Sequence, residues 1–165
     1  MTVQMKQKIT TFLWFEDQAE EAAEFYVSVF GGDSRIVDKT LYAEGGPGKP
    51  GTVMTLVFEL AGQQFIALNG GDQGFTFNEA VSLSVDCDGQ EEVDRLWSAL
   101  TRDGGQEGPC SWLKDKYGLS WQIVPRQLHE ILGGPDKQGA ARALQAMLGM
   151  KKIDVQGLRS AYEGG

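Results

Sequence analysis

Two stretches of this chain, beginning 71 residues apart, follow one plan. "TTFLWFEDQAEEAAEFYVSVF" (10–30) and "VSLSVDCDGQEEVDRLWSALT" (81–101) each open with a strand-like run, pass through Asp-x-x-Glu-Glu and continue as an amphipathic helix. Asp17 with Glu20, and Asp88 with Glu91, have the spacing of a capping box, in which side chains satisfy the free amides of a helix start. Ala19, Ala22, Ala23, Tyr26, Val29 and Phe30 share one helical face, as do Val93, Leu96, Trp97 and Leu100 in the second copy. The glycine pairs Gly31-Gly32 and Gly104-Gly105 stop each helix. Such a duplication restricts the chain to folds made of two similar modules.

Each helix is followed by alternating, strand-like residues: roughly 34–42, 52–60 and 63–69 in the first half, and 106–108, 111–115 and 119–124 in the second. "AGQQ" and "DKYG" supply turns, and the Gly- and Pro-rich "AEGGPGKPG" an exposed loop. Each half thus reads as βαβββ, about 9–69 and about 80–125. After Pro125 the spacing becomes helical, through Leu128, Ile131 and Leu132 and then Ala140, Leu144, Met147 and Leu148. Asp154 is placed to cap a last helix through Tyr162. The expected class is α+β: two βαβββ modules with a C-terminal helical extension over 126–165, in one domain of 165 residues.

Composition narrows the partners. With 23 acids against 15 bases the formal charge is -8, which disfavours phosphate backbones, so no nucleic acid is expected. No apolar run approaches the roughly 20 residues that cross a bilayer, and "MTVQMKQKIT" lacks a signal-peptide core. No membrane association and a cytoplasmic location are therefore expected. Cys87 and Cys110 are too few and too far apart for a metal motif or disulfide framework and read as reduced packing residues.

The stretches "ITTFLWFEDQAEEAAEFY", "FNEAVSLSVDC", "EEVDRLW", "CSWLKDKYGLSWQIVP" and "ALQAMLGMKKIDVQGL" span nearly the whole chain. In them it resembles the PhnB-like group, often labelled 3-demethylubiquinone-9 3-methyltransferase, of the vicinal oxygen chelate superfamily. That superfamily includes glyoxalase I, bleomycin-resistance proteins and extradiol dioxygenases. One departure is Ser111, where the group usually has Gly. The resemblance implies a cupped mixed sheet with helices outside and ligands inside, and commonly a homodimer. The apolar stripe Leu144, Met147 and Leu148 offers surface for one. The methyltransferase label fits poorly, because a common S-adenosylmethionine site needs a Gly-rich turn leading from strand into helix. Here the glycine pairs follow the helices.

Alternation within the aligned repeat sorts the strand faces. Phe12 and Trp14 match Leu83 and Val85 and should pack under the helices. Thr11 and Leu13, matching Ser82 and Ser84, should face the cup, with Phe65, Ala67, Asn69, Ser120, Gln122 and Val124. That lining holds no His, Asp, Glu or Cys. Superfamily enzymes hold a divalent metal with His and Glu, and the corresponding positions fall on Thr11, near Ala67, at or beside Ala80, and on Gln122. Amides and hydroxyls ligate weakly and alanine not at all, so neither metal nor other cofactor is expected. Glu79 is the weak candidate: a one-residue bulge would turn it inward, beside Gln122 and Asn69, whereas otherwise it is a solvated carboxylate. Trp112 either stacks on a planar ligand or closes a core or dimer contact. Lys114 and Asp115 read as a turn-edge pair, with Lys114 alternatively anchoring an anionic group. Gln122 either meets a neutral ligand or satisfies backbone groups, and His129 reads as a surface residue.

Two readings of function follow. One is a binding protein whose cup takes an unknown small, partly apolar molecule, supported by the uncharged lining and by Phe65 and Trp112. The other is an enzyme, either a metal-dependent lyase or dioxygenase using Glu79 or one of uncharacterised activity; a duller third is that the fold is retained mainly for assembly.

Overall fold

The structure, a computed structural model, describes residues 4–165. The chain divides after Phe75 into two compact units. The first runs β1 (Thr11–Phe15), α1 (Ala19–Phe30), β2 (Arg35–Leu41), β3 (Val53–Leu60) and β4 (Gln63–Asn69). The second runs β5 (Ser82–Cys87), α2 (Gln90–Thr101), a 3₁₀ turn (Arg102–Gly104), β6 (Gln106–Glu107), β7 (Trp112–Lys114) and β8 (Ser120–Pro125). It continues with α3 (Arg126–Leu132), α4 (Lys137–Leu148) and α5 (Val155–Glu163). The sheets have the same order, β1-β4-β3-β2 and β5-β8-β7-β6. In each, first and last strands pair in parallel and the remaining pairs are antiparallel. The tandem α+β architecture with C-terminal helices is therefore present. No helix among the described residues is long and apolar enough to cross a membrane.

In the first unit α1 lies against β3 and β4. Tyr26 stacks on Phe58 with ring centroids 6.3 Å apart, and Phe58 stacks on Phe65 at 5.5 Å. Strand register carries that face to Leu56, Ala67, Leu13 and Phe15, all buried. Fully burying each large apolar side chain contributes about 1.5–3 kcal/mol before the entropy of ordering it. Expectation and structure part here: Leu13 lies beneath α1, while Phe12 (55% exposed) and Trp14 (37%) occupy the other face. The cause is the connection before the helix. Three residues (Glu16, Asp17, Gln18) separate β1 from α1, but two (Asp88, Gly89) separate β5 from α2. A shift of 71 superposes the helices and leaves the strands one residue out, which exchanges every side chain's face.

The helix starts also differ from the capping-box reading. The N-cap of α1 is Gln18 and makes no side-chain cap. Instead Asn69, at the end of β4, accepts from the Ala19 amide at 2.8 Å through Oδ1 and donates to the Val53 carbonyl at 3.1 Å. The N-cap of α2 is Gly89; Glu92 accepts from the Asp88 amide at 2.7 Å, and the Asp88 carboxylate pairs with Arg126. The glycine stops are used: Gly31 (φ 60°) caps α1, and Gly104 (φ 107°) ends the 3₁₀ turn after α2. Asp154 caps α5 as expected, accepting from Gln156 N at 3.1 Å.

The C-terminal helices belong to the second unit. Leu128, Ile153 and Leu158 form a core with Val124 of β8, flanked by Ile131, Leu132, Met147 and Met150. Gln90, at the start of α2, clasps the segment before α5, donating to Ile153 O at 2.9 Å and accepting from Val155 N at 2.8 Å.

Candidate functional site

The β7–β8 hairpin is set by its turn. Asp115 is buried, and its carboxylate accepts from Tyr117 N at 2.9 Å, Leu119 N at 3.1 Å and the Trp121 indole at 2.9 Å. Gly118 supplies the positive φ (85°) that the return requires. Asp115 is therefore a buried turn anchor, and alternation puts Lys114 on the opposite face of the strand. Leu113, Trp121 and Ile123 are buried on the α2 side. Alternation sends Trp112, Lys114, Ser120 and Gln122 the other way. Register adds Ser82 opposite Ser120, Ser84 opposite Gln122 and Gln106 opposite Lys114. In this unit the expected faces are the observed ones up to Gln122; Val124, expected in the cup, is instead covered by the C-terminal helices and packs with Leu128, Ile153 and Leu158.

Part of that face forms a pocket of about 400 Å³, a volume that suits a small molecule. Trp112 and Pro109 give it apolar walls; Gln106, Lys114 and Ser120 give it polar groups. Ser120 is fully buried, and its hydroxyl has no hydrogen-bond partner among the described residues. Glu79 also lines the pocket and forms an ion pair with Lys114. The hydrogen bond from Lys114 holds the Glu79 carboxyl below the usual glutamate range, helped by a bond to its own backbone amide. Gln122 lies outside this lining; its amide donates to Ser82 Oγ at 3.0 Å. Ser84 is exposed on the same face.

The first unit's expected site residues are placed otherwise. Thr11, Leu13, Phe65, Ala67 and Asn69 all fall on the α1 side of their sheet; Leu13, Phe65 and Ala67 are core, and Asn69 caps α1. The opposite face carries Phe12, Trp14, Ile66 and Leu68. Trp14 donates to Gly71 O at 3.0 Å and meets Phe75 edge-on at 5.3 Å. Gly70 passes so close to the indole that a Cβ there would lie 2.1 Å from it. Nothing in "TFLWF" distinguishes its faces, since four of its five residues are large and apolar.

Three His, Cys, Asp or Glu side chains suited to a metal come together nowhere among the described residues. Of the positions matched to superfamily ligands, Thr11 and Ala67 are on the helix side, Ala80 is in an exposed turn and Gln122 is bonded to Ser82. Glu79 is engaged with Lys114, and the Asn69 amide with Ala19 and Val53. His129 is exposed on α3. Both cysteines are free, and burial pushes the Cys87 thiol up to about 12, with Glu92 and Asp86 adding to the shift. That thiol is inert at neutral pH.

Residues 7–124 match the family described as 3-demethylubiquinone-9 3-methyltransferase. A solved structure from Bacillus cereus, a putative 3-demethylubiquinone-9 3-methyltransferase, PhnB protein, is 45% identical. The match covers 72% of this chain and 99% of that one, with a TM-score of 0.64. Two further structures share the fold alone. PA1353 from Pseudomonas aeruginosa is 18% identical over 73% of this chain and 98% of its own, TM-score 0.56. The fosfomycin resistance protein FosX from Listeria monocytogenes is 14% identical over 77% and 96%, TM-score 0.53. No curated protein matches. The family match ends at Val124, where the C-terminal helices begin their packing. With both modules and their strand order in place, the chain belongs to the PhnB-like family labelled 3-demethylubiquinone-9 3-methyltransferase, of the glyoxalase and bleomycin-resistance fold.

Proposed function

We propose that this protein binds a small, partly apolar molecule in the pocket of its second unit and does so without a catalytic metal. The observation that carries the reading is Ser120: a fully buried hydroxyl without a partner, lining a pocket walled by Trp112. Burying such a group unpaired costs about 1–3 kcal/mol, which a ligand's polar atom would recover. Ser82, Ser84 and Gln122 extend the same face and would meet a longer ligand. The test is native mass spectrometry of the purified protein, followed by thermal melts with any co-purified compound. Trp112→Ala and Ser120→Ala should each remove most of the ligand-induced rise in Tm while the ligand-free melt is nearly kept. A metal-dependent lyase or dioxygenase would instead need Glu79 to leave Lys114. One equivalent of zinc, nickel or iron, lost in Glu79→Ala, would establish that reading in place of ours. Methyl transfer is a poor fit, because Gly31 and Gly104 end helices instead of leading strands into them. We also read the protein as a cytoplasmic homodimer.

A further inference from the structure

We infer that the ligand of this pocket is a monocarboxylate on a flat apolar body, and that its carboxylate replaces Glu79 at Lys114. The inference rests on the reading that this pocket is a binding site. Gln106, Lys114 and Ser120 are successive register partners on β6, β7 and β8, and all three line the pocket. Directly opposed residues hold their Cβ atoms about 4.5–5.5 Å apart, so an amide, an ammonium and a hydroxyl form a short row. Each can donate, the ammonium can only donate, and the middle one carries the charge. A carboxylate presents two acceptor oxygens and can reach Lys114 and the unpartnered Ser120 hydroxyl together.

Trp112 sits two residues from Lys114 on the same face of β7, with Pro109 nearby in the lining, which places an apolar surface beside the row. A flat body lying on that indole would keep its carboxylate at the donors. Lys114 is the one cation among the described lining residues. One positive charge in a chain of net charge -8 favours a monoanion over a dianion.

Glu79 is the displaceable partner. Its side chain is 61% exposed against 32% for Lys114, and it stands in the segment before β5 instead of in the sheet. An ion pair exposed on one side contributes only about 0–1 kcal/mol, so its release costs little. Glu107, the other acid in the lining, already accepts from the Trp97 indole at 2.7 Å. It gives Lys114 no better partner.

The experiment titrates the full-length protein with 2-naphthoate and, separately, with its neutral isostere 2-naphthamide, by calorimetry at low and at moderate salt. The expected result is binding of 2-naphthoate about tenfold or more tighter than of 2-naphthamide, weakening with salt. Glu79→Gln should tighten 2-naphthoate by roughly threefold or more and leave 2-naphthamide unchanged. Lys114→Met should abolish the preference, and Ser120→Ala should weaken 2-naphthoate about tenfold. Circular dichroism of each variant confirms folding. Equal binding of both probes, sensitive to Trp112→Ala, would overturn the carboxylate inference and leave the pocket reading standing. A Glu79→Gln variant that binds 2-naphthoate more weakly would also overturn it. Binding of neither probe by the folded protein would overturn both.

Discussion

Asn69 shows what a single residue can do that its neighbours in sequence do not announce. Its amide joins the first turn of α1 to the start of β3, with partners 50 and 16 residues away. Asn69→Ala should therefore cost about 1–2 kcal/mol in urea unfolding, the usual loss for a helix cap. Asn69→Asp, which keeps the acceptor for Ala19, should recover part of it; equal losses in both would refute the capping role. Alternation alone put this side chain in a pocket, because it conveys period and not which face the helix covers. Glu59 is a second case. It is buried, with Lys6 at 2.7 Å, Gln64 at 3.2 Å and Arg35 at 3.5 Å. The Lys6 hydrogen bond outweighs burial and holds its carboxyl below the usual range, with Gln64 and Arg35 assisting. A carboxyl lowered on folding adds stability above its unfolded value, and that stability fades as pH falls through the folded value. The urea midpoint of the natural protein should accordingly drop as pH goes below the ordinary glutamate range. In Glu59→Gln that part of the drop should be missing.

At the scale of elements, the C-terminal extension does more than cover β8. Cys110 and Ser111 both have positive φ (52° and 78°), a conformation that costs non-glycine residues about 1–2 kcal/mol each. They are held by hydrogen bonds from their amides to Met150 O at 2.8 Å and Lys151 O at 2.9 Å, from the segment between α4 and α5. Pro109, in the same turn, lines the pocket, so the extension positions one of its walls. Two outcomes follow. Ser111→Gly should raise stability by about 0.5–1 kcal/mol, since relief of the backbone exceeds glycine's entropy cost. Leu158→Ala, which opens the helical core, should lower stability by about 2–5 kcal/mol. It should also speed hydrogen exchange at the Cys110 and Ser111 amides more than at Leu119, whose amide is bonded to Asp115 within the β7–β8 turn. Uniform acceleration would mean that the extension and the sheet open together. The helices themselves were legible, because apolar spacing and the Asp154 cap are local: that carboxylate reaches Gln156, two residues on. Their return to residues 110 and 111 is a contact across about 40 residues, which no local pattern encodes.

For the whole molecule, duplication explains both what sequence revealed and where it misled. Two copies of a strand, a helix and three further strands were visible because hydrophobic period and helix-ending glycines survive divergence. Face assignment failed in one copy because a single residue in a connection exchanges the sides of a strand, and "TFLWF" has no polar alternation to correct it. The second copy, with Ser82 and Ser84 between apolar neighbours, does alternate, and its faces were read correctly.

Assembly is the remaining property at this scale. The stripe Leu144, Met147 and Leu148 divides in the structure: Met147 packs against the C-terminal core, while Leu144 (41%) and Leu148 (55%) stay exposed one helical turn apart on α4. If these leucines form part of a homodimer contact, their burial must outweigh the repulsion between two chains of charge -8. Hydrophobic contact is little weakened by moderate salt, whereas the repulsion is screened over about 10 Å at 0.1 M. Light scattering should therefore find a dimer at micromolar concentration whose dissociation constant falls as sodium chloride is raised. Leu144→Glu with Leu148→Glu should yield a monomer with a nearly unchanged ligand-free melt, because both side chains already face water within one chain. A monomeric natural protein would refute the dimer. A dimer untouched by the double substitution would place its interface elsewhere on the chain.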